Sequence, residues 1–227
     1  MKLSNIGDCG VICDFGNEVN REINIRVINL FHFMKAQTEE KKIIGILNLA
    51  PSYNKLIINF DLKKTSSKKI IDFIEKIDLS KFNFKNNKKE WEIPICYDLS
   101  LDLENLSKDL KLDKEEIINI HLSTHFFIYM IGFIPGHPFM GDLDKKLYTS
   151  RLKTPRVKLS PGCVGIVEKF CNIYPFESPG GWNIIGKTPT KLFDIKNNER
   201  PCLLSPGDNL KFKSISKEEF ESLKNEK

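Results

Sequence analysis

The chain has 227 residues, 41% hydrophobic and 29% charged, enough for one large domain or two small ones with real cores. No apolar run reaches the ~18 residues of a membrane span, and the opening Met1-Lys2-Leu3-Ser4-Asn5-Ile6-Gly7-Asp8 lacks the apolar region of a secretory signal. The net charge of +5 is spread along the chain among Asp and Glu, so it points neither to nucleic acid nor to a membrane.

Residues 2–6 and 11–15 read as short strands around Gly7-Asp8. Apolar residues at Val19, Ile23, Val27, Leu30, Phe31 and Met34 recur every three or four positions and predict a helix over 18–35. Strands at 43–49 and 55–60 flank a turn at Ala50-Pro51-Ser52-Tyr53-Asn54. Ser66 or Ser67 caps a helix through Ile70, Ile74 and Ile77. The first unit is therefore ββαββα, a small sheet with helices on one face, over 1–84. The polar stretch after Leu79 reads as a boundary, with a linker at 85–91. Composition changes there too: of the 11 prolines only Pro51 and Pro94 precede residue 135.

The second unit, 92–216, opens on the alternating strand Trp91 to Tyr97. Two short helices follow at 103–110 and 114–120, the second with Asp113 as N-cap. His125 to Phe133 is a strand buried on both faces. Short strands at 156–159, 164–167, 172–174, 182–186, 202–204 and 209–215, separated by Ser-Pro-Gly turns, indicate a closed or nearly closed β-barrel. Residues 217–227 form a polar helix or frayed tail. The whole is an α+β chain, a small N-terminal α/β sandwich domain followed by a barrel domain.

Six cysteines without a CxxC pair read as buried thiols in a reducing, cytoplasmic compartment, and we expect no metal site. Among 35 basic residues only five are Arg, and two of those, Arg151 and Arg156, lie in the Gly- and Pro-rich stretch from Gly132 to Gly186. A guanidinium fits carboxylate or phosphate bidentately, so both are candidates for anion binding, with Arg156 also a candidate catalytic group; a structural Arg–carboxylate pair is the alternative. In the Pro135-Gly136-His137-Pro138 loop, His137 either works as an acid or base or only packs there. Ser178-Pro179-Gly180-Gly181, ahead of Trp182, either presents backbone N–H groups to an anion or is a plain turn. Asp142 and Asp144 either orient a partner group or are solvated.

The same residues resemble a known family. Gly132-Phe-Ile-Pro-Gly-His-Pro-Phe-Met-Gly141, with Leu143-Asp144 after it, is similar to the GFxPGFPYLGGLD segment of the B-type subunits of 5-oxoprolinase. That family also covers allophanate hydrolase subunit 1 and the Kip inhibitor of a sporulation histidine kinase. Arg151-Leu-Lys-Thr-Pro-Arg156 resembles its RxxTPR, and Ile173-Tyr-Pro-Phe-Glu-Ser-Pro-Gly-Gly-Trp-Asn-Ile-Ile-Gly186 its IYPxxSPGGWxxIG. Ser160 to Ile166, His121, Gly7-Asp8 and Ala50 to Tyr53 also fit the pattern. Two positions depart from it: His137 replaces a usual aromatic and Asp142 a usual small residue. They leave open a shifted substrate or a changed partner contact.

The resemblance implies a cyclophilin-like β-barrel for the second domain. It implies ATP-dependent hydrolysis of 5-oxo-L-proline to L-glutamate, with ATP and its Mg shared with a partner, and work alongside the C- and A-type 5-oxoprolinase subunits. The alternatives it carries are a Kip-type inhibitor docking a histidine kinase and a carboxyltransferase-like component of urea or allophanate metabolism. The substrate or anion site would be built by Pro135, Gly136, Arg151, Ser178, Gly180, Gly181 and Trp182, around His137 and Arg156.

Overall fold

The computed structural model describes residues 1–78 and 89–225. The chain divides into two compact units, Met1–Asn87 and Lys88–Lys227. Of the expected linker, residues 85–88 lie outside the described residues, as does the expected end of the first domain at 84. Glu90 and Trp91 already belong to a strand.

The first unit is the expected ββαββα arrangement. Strands β1 (Lys2–Asn5), β2 (Gly10–Asp14), β3 (Ile46–Pro51) and β4 (Lys55–Phe60) form one antiparallel sheet in the order β1-β2-β4-β3. Along β4, Leu56, Ile58 and Phe60 are buried while Lys55, Ile57 and Asn59 are only partly so, as the two-residue side-chain period requires. Helix α1 (Arg21–Glu39) starts three residues later than its apolar pattern suggested. The Asn20 side chain ends the preceding extended segment and accepts a hydrogen bond from the Ile23 N–H at 2.9 Å. The helix then runs four residues further, to Glu39. Helix α2 (Ser67–Glu75) is capped by Ser66, as read. Val27, Leu30 and Met34 from α1 and Ile70 and Ile74 from α2 meet Val11, Leu56 and Ile58 of the sheet in one core. Each such side chain contributes about 1.5–3 kcal/mol by leaving water. The buried Asn24 holds the β3–β4 turn, donating to the carbonyls of Ser52 (3.0 Å) and Tyr53 (2.9 Å).

In the second unit, seven strands form one sheet: β5 (Glu90–Ile95), β6 (Phe126–Ile131), β7 (Pro138–Gly141), β9 (Cys163–Val167), β10 (Phe170–Ile173), β12 (Asn183–Lys187) and β13 (Asn209–Ser214). Their order is β12-β9-β10-β7-β6-β13-β5, with β13 and β5 parallel and the other pairs antiparallel. The sheet then curls back on itself. Cys96, just past β5, exchanges two backbone hydrogen bonds with Lys187 of β12, at 2.8 and 3.0 Å. The barrel is closed there, at a two-bond seam. Helix α5 (Lys217–Asn225) covers that seam, with Phe220 packed against Cys96 and Ile215. Helices α3 (Leu103–Leu110) and α4 (Lys114–Ser123) bring Leu106 and Ile117 into the barrel core. A separate two-stranded ribbon pairs β8 (Arg156–Leu159) with β11 (Ser178–Gly180).

Besides shifted element ends, such as β3 at Ile46–Pro51 where a strand at 43–49 was expected, three strands differ between sequence and structure. Residues 202–204 make only an isolated bridge, Cys202 with Phe193. Strand β7 was hidden by Pro138 and Gly141, residues that otherwise mark turns. Proline is tolerated as the first residue of a strand, and Gly141 leaves room for the Tyr129 ring, which a Cβ there would overlap. Strand β11 was hidden in the same way, in a Ser-Pro-Gly turn signal. Among the described residues no helix is long and apolar enough to cross a membrane.

The barrel core holds a polar chain. His121 Nδ1 meets Tyr97 Oη at 2.7 Å and its Nε2 meets Cys171 Sγ at 3.6 Å, all deeply buried. Burial alone pushes the imidazole down to about 3, so it is neutral in the folded protein. Burial pushes the Cys171 thiol up, which leaves it inert.

This core makes stability depend on pH. Below the ordinary histidine pKa of about 6.5, the unfolded chain takes up a proton that folded His121 refuses. Stability should therefore be lost as pH drops, at about 1.4 kcal/mol per unit for this one side chain, read as a declining urea midpoint from pH 7 to pH 5. Packing gives a second expectation in the same assay. Gly141→Ala should drive a methyl into Tyr129 and lower stability by about 1–3 kcal/mol.

Candidate functional site

The connection from β6 to β7 is the tight loop 132–137. It is pinned by Gly132 N–H to the His137 carbonyl (3.1 Å) and by His137 N–H to the Ile134 carbonyl (3.1 Å). Two residues turn it at positive φ, Phe133 at 71° and Gly136 at 75°. Gly136 is required twice over, because a Cβ there would also meet Phe193 at 2.8 Å. The loop throws Phe133 outward, 66% exposed, and tucks His137 inward, 1% exposed.

His137 sits among Phe133, Phe139 and Tyr174, with ring centroids 4.9–5.6 Å away. Asn172 of β10 donates from Nδ2 to His137 Nε2 at 3.1 Å, which puts the imidazole proton on Nδ1. His137 Nδ1 and Asn172 Oδ1 are both buried and find no partner among the described residues. Burial pushes the His137 imidazole down to about 4. At neutral pH the ring is therefore neutral, packed among aromatics and accepting one hydrogen bond.

His137 and Asn172 belong to a cleft of about 210 Å³. Its aromatic walls are Phe133, Phe139, Tyr174 and Trp182, and Pro179 and Gly180 of the Ser178–Gly180 strand with Gly181 complete the lining. Trp182 lies edge-on to Phe139 at 5.9 Å. Gly180 has no substitute there, since a Cβ would stand 2.5 Å from Tyr174 Oη. Arg151 supplies the cleft's cation. It has no carboxylate partner among the described residues and favours the phenolate of Tyr174, although burial dominates and pushes that phenol up. The loop bearing Arg151 is tethered on both sides. Leu152 N–H donates to the Gly181 carbonyl at 2.8 Å, and Asn183 Nδ2 donates to the Ser150 carbonyl at 2.8 Å.

The structure thus brings together His137, Arg151, Gly180, Gly181 and Trp182, all of them expected site residues. Arg156 is elsewhere. Its Nη2 is 2.5 Å from Oδ1 of the buried Asp102, the structural Arg–carboxylate pair that the sequence left as an alternative, and its Nη1 is buried without a partner among the described residues. Pro135, Gly136 and Ser178 do not line the cleft; Ser178 is buried in the β8–β11 ribbon, with Oγ unpartnered among the described residues. Asp142 accepts from Tyr129 Oη at 3.0 Å, and Asp144 caps a short 3-10 turn at Lys145–Leu147. Among the described residues no group of three His, Cys, Asp or Glu gathers to hold a metal.

Sequence reasoning missed Phe133, Phe139, Asn172 and Tyr174 as wall and floor. Each was legible only as a strand or loop residue, because which face it presents depends on barrel register. It also missed Asp102, an acid between two leucines with no motif around it.

This geometry sits within a known architecture. Residues 1–204 match the family model described as carboxyltransferase domain, subdomain C and D. The chain is 32% identical to the 5-oxoprolinase B subunit of Bacillus subtilis over 99% of this chain and 97% of that one. The match to the 5-oxoprolinase B subunit of Haemophilus influenzae is 44% identical, over 53% of this chain and 57% of that protein. Among solved structures, TTHA0988 aligns with a TM-score of 0.79 at 27% identity, over 92% of this chain and 40% of its own. PH0987 of Pyrococcus horikoshii aligns at 0.56 and 32% identity, over 96% and 100%. The K. lactis urea amidolyase, at 22% identity and a TM-score of 0.75, shares the fold over 15% of its length. The chain belongs to the carboxyltransferase-domain family, subdomains C and D, in the branch that holds the B-type subunits of 5-oxoprolinase.

Proposed function

We propose that this chain is the B-type subunit of an ATP-dependent 5-oxoprolinase that opens 5-oxo-L-proline to L-glutamate together with C- and A-type subunits. One observation carries the reading: a small aromatic cleft with a single cation, Arg151, that no carboxylate of the described chain neutralises. A compact ring bearing one carboxylate matches it, the ring against Phe139 and Trp182 and the carboxylate on the guanidinium. The likeness to proteins named as B subunits of 5-oxoprolinase supports the same substrate class.

A triphosphate does not fit this cleft. It needs several cations or a helix N-terminus over its phosphates, and the lining offers one arginine. In this reading ATP and its Mg are held chiefly by a partner in the assembly, and this chain supplies the ring pocket. A second reading, a regulator that docks a histidine kinase, draws on Phe133, which stands 66% exposed at the cleft rim and suits a protein partner.

Glutamate release from 5-oxoproline should require ATP and the assembled mixture of this chain with its A- and C-type subunits. Arg151→Ala should raise KM roughly 10- to 100-fold, the worth of a hydrogen bond to a charged group, with assembly intact. An assembled mixture without activity, or unchanged KM in the Arg151 variant, would sink the proposal and turn attention to kinase binding. His137→Phe should keep most of kcat, and the wild-type rate should show no limb near a pH of about 6.5, because the buried ring does not titrate there.

A further inference from the structure

Arg156 lies on the ribbon that forms the back of the cleft wall. Its cross-strand neighbour on β11 is Gly180, and the next residue, Gly181, accepts from the Leu152 amide of the Arg151 loop. Outside the ribbon, the polar partner of Arg156 among the described residues is Asp102. That carboxylate is 2% exposed and uses both oxygens. Oδ1 takes Arg156 Nη2, and Oδ2 takes the backbone N–H of Ile184 at 2.6 Å. Asp102 is itself fixed to the same strand, since its own N–H and that of Leu101 donate to the Ile184 carbonyl at 2.9 and 3.0 Å. Ile184 is in β12, just beyond Trp182.

We propose that Arg156 is a positioning residue of the cleft. Through Asp102 it bolts the β8–β11 ribbon to barrel strand β12, and so sets the distance between the Gly180-Gly181 wall, the Trp182 face and the Arg151 loop. Other ties join the ribbon to the barrel beside this pair. Within the ribbon, Leu159 reaches the small buried cluster of Cys163, Tyr174 and Ile184 at the other end of β8. At the Gly180 end the Gly181 carbonyl takes the Leu152 amide and the chain runs through the buried Trp182 into β12, while the ion pair is the side-chain tie that fixes β8 there. A hydrogen-bonded pair with a buried carboxylate is costly to break from one side, because the remaining charge keeps no opposite charge. What the wall binds rests on the function proposed above; that the pair holds the wall does not.

The test is a double-mutant cycle with two readouts, in the assembled complex and in the chain alone. The variants are Asp102→Asn, Arg156→Gln and the double. The first readout is hydrogen exchange at the Leu152 and Ile184 amides, which needs no ligand. The second is KM against kcat for 5-oxoproline. Each single change should speed Leu152 exchange by roughly tenfold, the scale of coupling between residues in contact, and the double should add nothing further. KM should rise in step with exchange. Arg156→Lys, which keeps the cation that Asp102 needs, should recover part of the protection and serves if Arg156→Gln does not fold. Unchanged Leu152 exchange in a folded Arg156 variant would overturn the proposal. So would losses that multiply in the double variant, as they must if Arg156 Nη1 touches the ligand directly. If the complex shows no oxoprolinase activity, the exchange readout alone still decides.

Discussion

The second unit depends on closing its sheet at one narrow place. Strands β5 and β12 are the two edges, and they meet only beyond the end of β5, through the paired amides and carbonyls of Cys96 and Lys187. An open edge would leave a row of backbone groups for any passing strand to use. Closure also gives the sheet the curvature that turns residues of β7 and β10 towards the segment leading into β12, which is where the cleft forms. The seam is short, but it is not exposed. Phe220 and Ile215 cover Cys96, so those bonds lie in a poorly hydrated setting where leaving them unmade is expensive.

Inside that barrel the polar groups divide by how they are satisfied. Asp102 is buried with a guanidinium on one oxygen and a backbone amide on the other. His121 is buried as deeply but, among the described residues, its ring nitrogens meet a phenol and a thiol and its faces meet Phe126 and Phe212, and burial pushes its proton off. The difference is not depth but the availability of an opposite charge. His137 follows His121: it behaves as a polar aromatic in a cage of aromatics, its imidazole held neutral by burial. This accounts physically for a histidine seated among three aromatic rings.

Much of this was legible in the chain itself. The two-residue alternation of 55–60, the apolar stripe of α1 and the Ser66 cap all predicted their elements closely, because each is a local preference that tertiary packing reinforces. The buried run from Phe126 announced a central strand in the same way. Strands β7 and β11 were not legible, since Pro138, Gly141, Pro179 and Gly180 carry turn signals and are strand residues here only because neighbours demand the space. The Gly-rich turn and Arg151 could be expected near a site from residue type alone. The separation of Arg151 from Arg156 could not, because it depends on Asp102, a residue distant in sequence that is recognised as a partner only when folding has brought it across.

The pairing of β5 with β13 has a further consequence, for how the molecule is made. The strand that opens this unit is completed by one that begins at Asn209, and their parallel register, from Glu90 with Asn209 to Ile95 with Ser214, closes a loop of more than a hundred residues. On a ribosome, β5 emerges long before its partner exists. One side of it must wait while the whole barrel is synthesised, and the search that joins the two ends is a long-range one, which slows folding. During that interval Trp91 and Ile93 are available to other chains. The parallel pairing of the unit's opening strand with β13 thus prolongs the interval in which those side chains lack their native cover.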